Sequence, residues 1–225
     1  MQRYFIETAI ENARINGEDA RHIERVMRMK QGDKIVVVAQ NTAHICTIEG
    51  FEGDEVVIEA TGQTIPPSPE LPIQVTVACG LPKGDKLELI TQKATELGGM
   101  FALLPFEAER SIVKWDKKKG GAKKQERLQK IAKEAAEQAH RTHIPTVFEP
   151  ISFKQLVQQI DHFDAVFIAD EEDAKAEKRT RFAEKLKNVY DKKSKSILII
   201  FGPEGGAFLV KSQKRYYKQA LKRCH

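Results

Sequence analysis

Cysteine and clustered metal ligands are scarce in this chain of 225 residues. The three cysteines are scattered without a metal-type spacing: Cys46, Cys79 and Cys224. His140 and His143 lie three residues apart, but Pro145 follows at once and no further ligand is evident. We therefore expect surface histidines, no metal site, and a protein of the reducing cytoplasm.

Long hydrophobic runs and nucleotide-binding loops are also lacking. No segment approaches the apolar length of about 20 residues that spans a bilayer as a helix. The first seven residues have neither the apolar core nor the cleavage site of a signal peptide. No P-loop and no dinucleotide fingerprint occurs, which leaves a nucleotide hydrolase weakly supported. These absences predict a cytoplasmic protein without a membrane partner.

The net charge of +5 is unevenly distributed. Residues 110–133 carry ten Lys/Arg and two acids, and residues 207–225 carry six Lys/Arg and no acid. The rest of the chain is therefore acidic. Concentrated positive charge on an acidic body indicates a polyanionic partner, RNA or DNA. A solvated surface would give the same pattern, so charge alone leaves both interpretations open.

Residues 1–70 are predicted to form a small all-β domain with one helix. Ile23, Val26 and Met27 recur at helical spacing and predict a helix over residues 18–29. Strands are expected at residues 34–39, 43–49 and 55–60. Short strands at such close spacing are typical of a small barrel. The proline-rich residues 65–69 then interrupt the pattern and predict an interdomain linker.

Residues 71–225 are predicted to form a second domain, in which strands alternate with helices as in a parallel sheet. Strands are expected at residues 73–79, 101–105, 110–115, 165–169 and 196–201, and helices at 85–97, 123–141, 152–160 and 175–188. Asp85 and Glu88 have the spacing of a capping box at the start of the first of these helices. The predicted fold class is α/β with a small all-β domain.

A glycine-rich loop follows the strand at residues 196–201. The strand is an unbroken apolar run, which predicts burial on both faces, and ligands of parallel sheets bind at the carboxyl ends of strands. The loop glycines would let backbone approach a ligand closely. Glu204 would repel phosphate and suits a cationic ligand such as a sulfonium nucleoside. The alternative is a tight turn after a core strand.

Two polar clusters accompany these elements. Glu134, Glu137, Gln138 and Arg141 share one side of the predicted helix 123–141, where they either pair on the surface or line a site. The acidic residues 170–173 follow the strand at 165–169. They suit either ribose binding or the dipole at the start of the next helix.

Several motifs, taken together, resemble a known family. They are Arg3-Tyr4-Phe5, His22-Ile23 through Arg28-Met29-Lys30 with Gly32-Asp33, Gly80-Leu81-Pro82-Lys83-Gly84-Asp85-Lys86, Gln92-Lys93-Ala94-Thr95-Glu96-Leu97-Gly98, Glu109-Arg110-Ser111 with Lys114, Glu134-Ala135-Ala136-Glu137-Gln138 with Arg141, and Gly202-Pro203-Glu204-Gly205-Gly206. The chain resembles the RsmE family, the ribosomal RNA small-subunit methyltransferases that methylate a uridine of 16S rRNA at its ring nitrogen N3. The resemblance covers residues 1–206.

The resemblance implies a PUA-like RNA-binding barrel at residues 1–70 and a methyltransferase domain of the SPOUT superfamily at residues 71–225. Such a domain is a parallel sheet whose carboxyl end is knotted, an exception among proteins. The implied cofactor is S-adenosylmethionine, without a metal. The implied partners are 16S rRNA in the small ribosomal subunit and a second copy of the chain in a homodimer.

The resemblance also implies roles for individual residues. Cofactor binding is carried over to Phe201, Gly202, Pro203, Glu204, Gly205 and Gly206. Glu137 is the candidate base for the N3 proton, and Arg110 or Arg141 would stabilise negative charge on the uracil oxygens. RNA binding is expected at Arg3, Arg25, Arg28, Lys83, Lys114, Lys117, Lys118, Lys119, Lys123 and Lys124.

The chain departs from the family after Gly206. Residues 207–225 do not match the Leu-Gly-x-x-Ile-Leu-Arg-x-Glu-Thr-Ala motif that the family carries there, and the sequence becomes free of acids. A shifted reading frame or a truncated gene would explain this break and leave the knot incomplete. A divergent but working terminus is the alternative. The competing functional hypothesis is an RNA-binding protein that is catalytically inactive.

Overall fold

The computed structural model describes residues 1–11, 13–66, 70–108, 115, 120–169 and 179–202. The chain divides into two compact units. The first comprises Met1–Glu70 together with Ala136–His143, and the second comprises Leu71–Ala135 and the chain from Ile144 onward. The sequence predicted a boundary after residue 70 but did not predict that a segment near residue 140 belongs with the first unit.

Five strands of the described chain form the sheet of the first unit. They are β1 (Arg3–Phe5), β2 (Arg14–Ile15), β3 (Lys34–Ala39), β4 (Thr42–Glu52) and β5 (Glu55–Thr64), in the order β1-β3-β4-β5-β2. β1 runs parallel to β3, whereas the other neighbours are antiparallel. Alternate residues point inward, so Ile35 and Val37 of β3 pack with Cys46 and Ile48 of β4 in one buried core. The three predicted strands are confirmed, and β4 and β5 are longer than expected.

The predicted helix at residues 18–29 is shorter in the structure and changes its winding. α1 (Gly17–Arg21) continues into a π-helical turn, His22–Val26. Ile23 is completely buried in the core of the first unit. Arg28 has a φ of 52°, and this left-handed conformation prevents the helix from continuing. Helical periodicity alone did not reveal this early end.

The second unit contains a parallel sheet. Its strands are β6 (Gln74–Gly80), β7 (Ala102–Glu107), β8 (Thr146–Val147), β9 (Ile151–Ser152), β10 (Ala165–Ala169) and β11 (Ser196–Phe201). The order is β10-β11-β6-β7-β8, and β9 also pairs with β7. Leu198 and Ile200 of the central strand β11 are completely buried. The unbroken apolar run predicted this placement, because both faces of a central parallel strand are covered.

The described helices of the second unit are α2 (Lys86–Glu96), α3 (Gly121–Gln138), α4 (Phe153–Gln159) and α5 (Arg179–Asp191). The last residues of α3 belong to the first unit, and a 3₁₀ turn (Ile160–His162) follows α4. None of the helices in the described ranges is long and apolar enough to cross a membrane. The predicted capping box at Asp85 is wrong, because that side chain makes no capping hydrogen bond within the described chain. A capping box is present instead at Ser152, whose hydroxyl and backbone exchange hydrogen bonds with Gln155.

Several predicted features lie outside the described residues. They are the proline-rich centre of the linker, the strand at 110–115 except Trp115, the acidic residues 170–173, the first residues of the helix at 175–188, and everything after Gly202. The predicted knot belongs to that last part and stays a prediction.

Candidate functional site

The carboxyl ends of the central strands lie side by side in the second unit. Phe201 of β11 pairs with Cys79 of β6, and Gly80 pairs with Phe106 of β7, so the three strands end at the same level. Phe201 is 42% exposed although it continues a buried strand. Gly202 follows it with partly accessible backbone. This edge is where parallel sheets bind ligands, and it carries the first two residues predicted to hold the cofactor.

The loop after β6 lies at the same edge of the sheet. Leu81 is buried, and its N–H donates to the carbonyl of Phe106 at 3.0 Å. Lys83 is exposed at the tip of the loop, as an RNA-binding residue needs to be. Gly84 has a φ of 62°, a left-handed conformation that L side chains rarely adopt, and it turns the chain into α2. Pro203, Glu204, Gly205 and Gly206, by contrast, are not among the described residues.

Neither described cysteine can act as a nucleophile at neutral pH. Cys79 lies near the end of β6 and Cys46 in the core of the first unit. Burial raises the pKa of each thiol to about 11. Because the thiolate is the reactive form, both side chains stay protonated and inert. The described residues also contain no group of three or more His, Cys, Asp and Glu side chains that would hold a metal.

Apart from the buried Arg3 and Arg141, the predicted basic residues fall into two groups. Arg25, Arg28, Lys83 and Lys123 are exposed, and Lys124 is partly exposed with its ammonium 5.0 Å from the centre of the Trp115 ring. Arg110, Lys114, Lys117, Lys118 and Lys119 lie outside the described residues, so their predicted roles stay predictions.

Arg141 is not on the long helix, although helical phase had placed it there. α3 ends at Gln138, and His140 adopts a left-handed φ of 56° that turns the chain away from the helix axis. The N–H of Arg141 donates to the carbonyl of Ala136 at 2.9 Å, which closes this last turn. The helical-phase argument therefore holds for Glu137 but not for Arg141.

The Arg141 side chain is buried in the first unit and bound to Glu70. The side chain is 2% exposed. Its Nε donates to a Glu70 carboxylate oxygen at 3.2 Å, and a terminal nitrogen donates to the other oxygen. The backbone N–H groups of Thr142 and His143 donate to the same carboxylate at 3.0 and 3.1 Å. Charge and hydrogen bonds thus hold the segment after α3 at Glu70.

Burial and hydrogen bonding act on the pKa of Glu70 in opposite directions. Burial would raise the pKa of this carboxyl. The hydrogen bonds and charge of Arg141, with the amides of Thr142 and His143, outweigh burial and hold the pKa below its usual value. Glu70 is therefore ionised at neutral pH and matches the charge of Arg141.

Arg3 reinforces the same segment from β1. The residue is 7% exposed, and its guanidinium donates to the carbonyls of His140 and Arg141 at 2.6 and 2.8 Å. In this structure Arg3 and Arg141 thus bind protein groups, and their predicted contacts with RNA or uracil stay predictions.

The sequence analysis did not identify Glu70, because a single carboxylate at the end of a proline-rich stretch carries no local signal.

Glu137 lies on the last turn of α3, in the first unit, with one carboxylate oxygen buried. Glu137 also affects Tyr4. The pKa of the Tyr4 phenol is raised first by burial and then by the negative charges of Asp19 and Glu137. The phenol is also 3.0 Å from Nδ1 of His22. A half-buried carboxylate of this kind is a candidate for accepting a proton.

Comparison with known proteins places this architecture in one family. A model of the RNA methyltransferase domain matches residues 69–209, and a model of the RNA methyltransferase PUA domain matches residues 15–60. The chain is 47% identical over 216 residues to ribosomal RNA small subunit methyltransferase E of Bacillus subtilis, covering 92% of this chain and 81% of the relative. Its Synechocystis counterpart is 31% identical over 198 residues, covering 82% and 57%.

Solved structures share the fold over nearly the whole chain. One described only as a hypothetical protein is 42% identical with a TM-score of 0.84, covering 97% of this chain and 86% of that one. Ribosomal RNA small subunit methyltransferase E of Neisseria gonorrhoeae, solved bound to S-adenosyl methionine, is 21% identical with a TM-score of 0.73, covering 98% and 86%. The predicted fold class, with its PUA-like first domain, is confirmed. The chain therefore belongs to the RsmE family of ribosomal RNA small subunit methyltransferases.

Proposed function

We propose that this chain transfers a methyl group from S-adenosylmethionine to N3 of a uridine in 16S rRNA. The observation that carries this proposal is the common carboxyl edge of β11, β6 and β7, where Phe201 and Gly202 open the glycine loop. The described residues fit this cofactor, because an exposed aromatic ring and backbone without a side chain suit an adenosine group. The 47% identity to the Bacillus subtilis enzyme over 92% of the chain supports the substrate class.

The chemistry needs one proton acceptor and one anion stabiliser. When bound, S-adenosylmethionine supplies an electrophilic methyl group on a sulfonium. N3 of uracil lies between two carbonyls and is protonated at neutral pH, so its proton has to leave before or during transfer. We assign that proton to the carboxylate of Glu137. A uridine in structured RNA also has to be unstacked before its N3 is accessible.

Arg110 and Arg141 are the two candidates for stabilising negative charge on the uracil oxygens. The guanidinium of Arg141 is buried and bound to Glu70, which favours a positioning role for it. We therefore propose Arg110 as the residue that contacts the uracil, and Arg141 as the residue that holds the end of α3 in place. Placing the reactants supplies on the order of 7–11 kcal/mol of the barrier reduction in well-oriented reactions.

We further propose that the partner is 16S rRNA in the small ribosomal subunit, that the chain works as a homodimer in the cytoplasm, and that its basic residues bind phosphate. The exposed side chains of Arg25, Arg28, Lys83 and Lys123 support the phosphate contacts.

RNA affinity should fall steeply as the salt concentration rises. A log–log plot of affinity against salt concentration should have a slope of about −0.7 per phosphate bound for single strands. Fluorescence anisotropy with a labelled RNA at several KCl concentrations measures this slope. An affinity that does not change with salt would contradict the phosphate contacts.

The cofactor proposal is tested by calorimetric titration of the 225-residue chain with S-adenosylmethionine. The matched sample is the same chain with a family-like carboxyl end in place of residues 207–225. Binding by both chains would show that the divergent end still allows a pocket, and binding only by the restored chain would show a broken methyltransferase. Binding by neither would overturn the assignment of residues 201–206.

A second function, RNA binding without catalysis, has one observation in its favour. Residues 207–225 lack the acidic and apolar motif that the family carries after the glycine loop. A chain of this kind would bind RNA through the basic residues and fail to bind the cofactor. The titration above separates this function from an active methyltransferase.

A further inference from the structure

The turn that ends the helix of the first unit exposes two apolar side chains in succession. α1 continues into the π-helical turn His22–Val26, which is closed by the Met27 N–H donating to the His22 carbonyl at 2.9 Å. Val26 is 67% exposed and Met27 is 38% exposed, although Ile23 of the same turn is completely buried. Adjacent exposed apolar side chains give a partner a surface that it can cover.

The backbone of this turn is held in one conformation. Arg28 has a φ of 52°, and beyond it the Met29 N–H donates to the Ile23 carbonyl at 3.1 Å. Ile23 lies in the core of the first unit, and Met29 packs against that core. π-Helical turns and left-handed residues other than glycine occur preferentially at functional sites, where the surrounding structure holds them in place. A backbone that is already ordered loses less freedom when a partner binds to Val26 and Met27.

Arginines lie directly on both sides of the apolar pair. The sequence is Arg25-Val26-Met27-Arg28, here called the arginine-flanked turn, and both arginine side chains are exposed. Residues 21–30 carry four exposed cations and one exposed acid: Arg21, Arg25, Arg28 and Lys30 against Glu24. The Glu24 carboxylate is 3.9 Å from Nε of Arg25, and the acids of α1 lie in its first turn, away from this surface. Positive charge around apolar groups suits a polyanion that also has apolar faces, which is a nucleic acid.

Another exposed apolar side chain of the first unit has the opposite surroundings. Phe51 is 38% exposed at the end of β4, beside the turn into β5. Acids are its close neighbours in the sequence: Glu49, Glu52, Asp54 and Glu55, of which two pair with Arg14. This excess of negative charge would repel a polyanion, so Phe51 provides a matched control for the arginine-flanked turn.

The two kinds of side chain in the arginine-flanked turn distinguish unpaired RNA from a duplex. In an A-form duplex the base faces are stacked on one another, and the accessible groups are phosphates, 2′-hydroxyls and base edges. Exposed guanidinium groups bind the phosphates of either form. Val26 and Met27 gain apolar contact only with a base that has left its stack, because only such a base presents its face.

We infer that the arginine-flanked turn binds unpaired RNA, with Val26 and Met27 against the face of a base and Arg25 and Arg28 on the neighbouring phosphates. The inference rests on the proposed RNA-binding function and adds two uncharged residues that select the single-stranded form. It suits a substrate whose target uridine has to be unstacked before methyl transfer.

The test compares the affinity of full-chain variants for two RNA probes. The probes are a fluorescein-labelled, uridine-rich single strand and a duplex of the same length, and anisotropy is read at low salt. The double variant Val26→Ser with Met27→Ser should bind the single strand at least fivefold more weakly and the duplex within twofold of the parent. Its salt slope should not change, because no phosphate contact is lost. Phe51→Ser should bind both probes within twofold of the parent.

Arg25→Gln separates the charged contribution from the apolar one. This variant should weaken binding to both probes, and it should reduce the single-strand salt slope by about 0.7 for each phosphate contact that is lost. Circular dichroism checks that each variant is folded.

A second measurement needs no variant. The parent chain is irradiated with a single strand that contains 4-thiouridine, and the crosslinked peptides are identified by mass spectrometry. The crosslinks should include the peptide that contains Val26 and Met27, whereas crosslinks found only in other peptides would overturn the inference.

The outcomes separate this inference from the function on which it rests. If the parent binds RNA and the double variant binds the single strand equally well, or loses affinity for both probes alike, Val26 and Met27 do not contact a base. The inference is then overturned and the proposed function stands. If the parent binds neither probe, the RNA-binding function is overturned together with the inference.

Discussion

Replacing Glu70 by alanine should lower the free energy of unfolding by about 3 kcal/mol, because it leaves the guanidinium of Arg141 buried without its carboxylate. The Arg141 side chain is 2% exposed, and Glu70 also accepts the N–H groups of Thr142 and His143. Urea denaturation followed by circular dichroism measures the change. Glu70→Gln keeps one side-chain oxygen that accepts hydrogen bonds but loses the negative charge. Its free energy of unfolding should therefore lie between those of the parent and the alanine variant.

The matched control is another pair of arginine and carboxylate. In the second unit a terminal guanidinium nitrogen of Arg127 lies 2.7 Å from Oε2 of Glu88, but the Arg127 side chain is 67% exposed. Glu88→Ala should cost less than about 1 kcal/mol, since exposed ion pairs contribute little. If Glu70→Ala and Glu88→Ala lowered the free energy of unfolding equally, the result would contradict the view that the buried pair holds the segment after α3.

The stabilisation from Glu70 also has a defined pH dependence. Burial acts to raise the pKa of this carboxyl, but the hydrogen bonds and charge of Arg141, with the amides of Thr142 and His143, hold the pKa below its usual value in the folded protein. The stabilising contribution is therefore fully present above the unfolded pKa of about 4.3 and is lost as the pH falls through the lower folded value. The difference in stability between the parent and Glu70→Gln should shrink over that acidic range.

Glu137→Gln should reduce the rate of methyl transfer by about 100- to 10,000-fold, the range that a general base contributes. The amide has nearly the shape of the carboxylate but cannot take the N3 proton, so affinity for RNA and S-adenosylmethionine should stay close to that of the parent. The measurement is transfer of labelled methyl to 16S rRNA. It is made in the chain as it stands and in the chain with a family-like carboxyl end.

Glu134→Gln is the control for Glu137→Gln. Glu134 lies on the same helix three residues earlier and is exposed. The control should retain the parent rate, because Glu134 is exposed and has no proposed role in taking the N3 proton. Methylation that continues unchanged in Glu137→Gln would remove Glu137 from the chemistry.

Helical phase predicted the position of Glu137 but not of Arg141. Both residues share one side of an ideal helix, yet α3 ends at Gln138 because His140 takes a left-handed φ of 56°. A residue other than glycine adopts that conformation when its surroundings hold it there. The carbonyls of His140 and Arg141 both accept hydrogen bonds from Arg3. Arg3 lies more than 130 residues earlier, so no local pattern signals this turn.

The strands of the second unit show the opposite case. The run at Ser196–Phe201 was predicted to be buried on both faces, and the structure places it between β10 and β6. The prediction succeeded because a strand covered on both faces needs apolar residues without alternation. Such a run can be recognised from consecutive residues of the sequence alone. The ligand site that the glycines after that strand predict lies mostly outside the described residues and stays a prediction.

The sequence by itself determined the longer strands and helices of the described chain, but not the short strands β1, β2, β8 and β9, and it identified the motifs of a methyltransferase family. These properties follow from the spacing of apolar residues, glycines and prolines over a few positions. Only the tertiary structure decided that Glu70 binds Arg141 and that Trp115 joins Glu107 to Lys124. Glu70 and Arg141 are 71 residues apart, and such a pair forms because burial brings two charges together, not because either residue has a local preference.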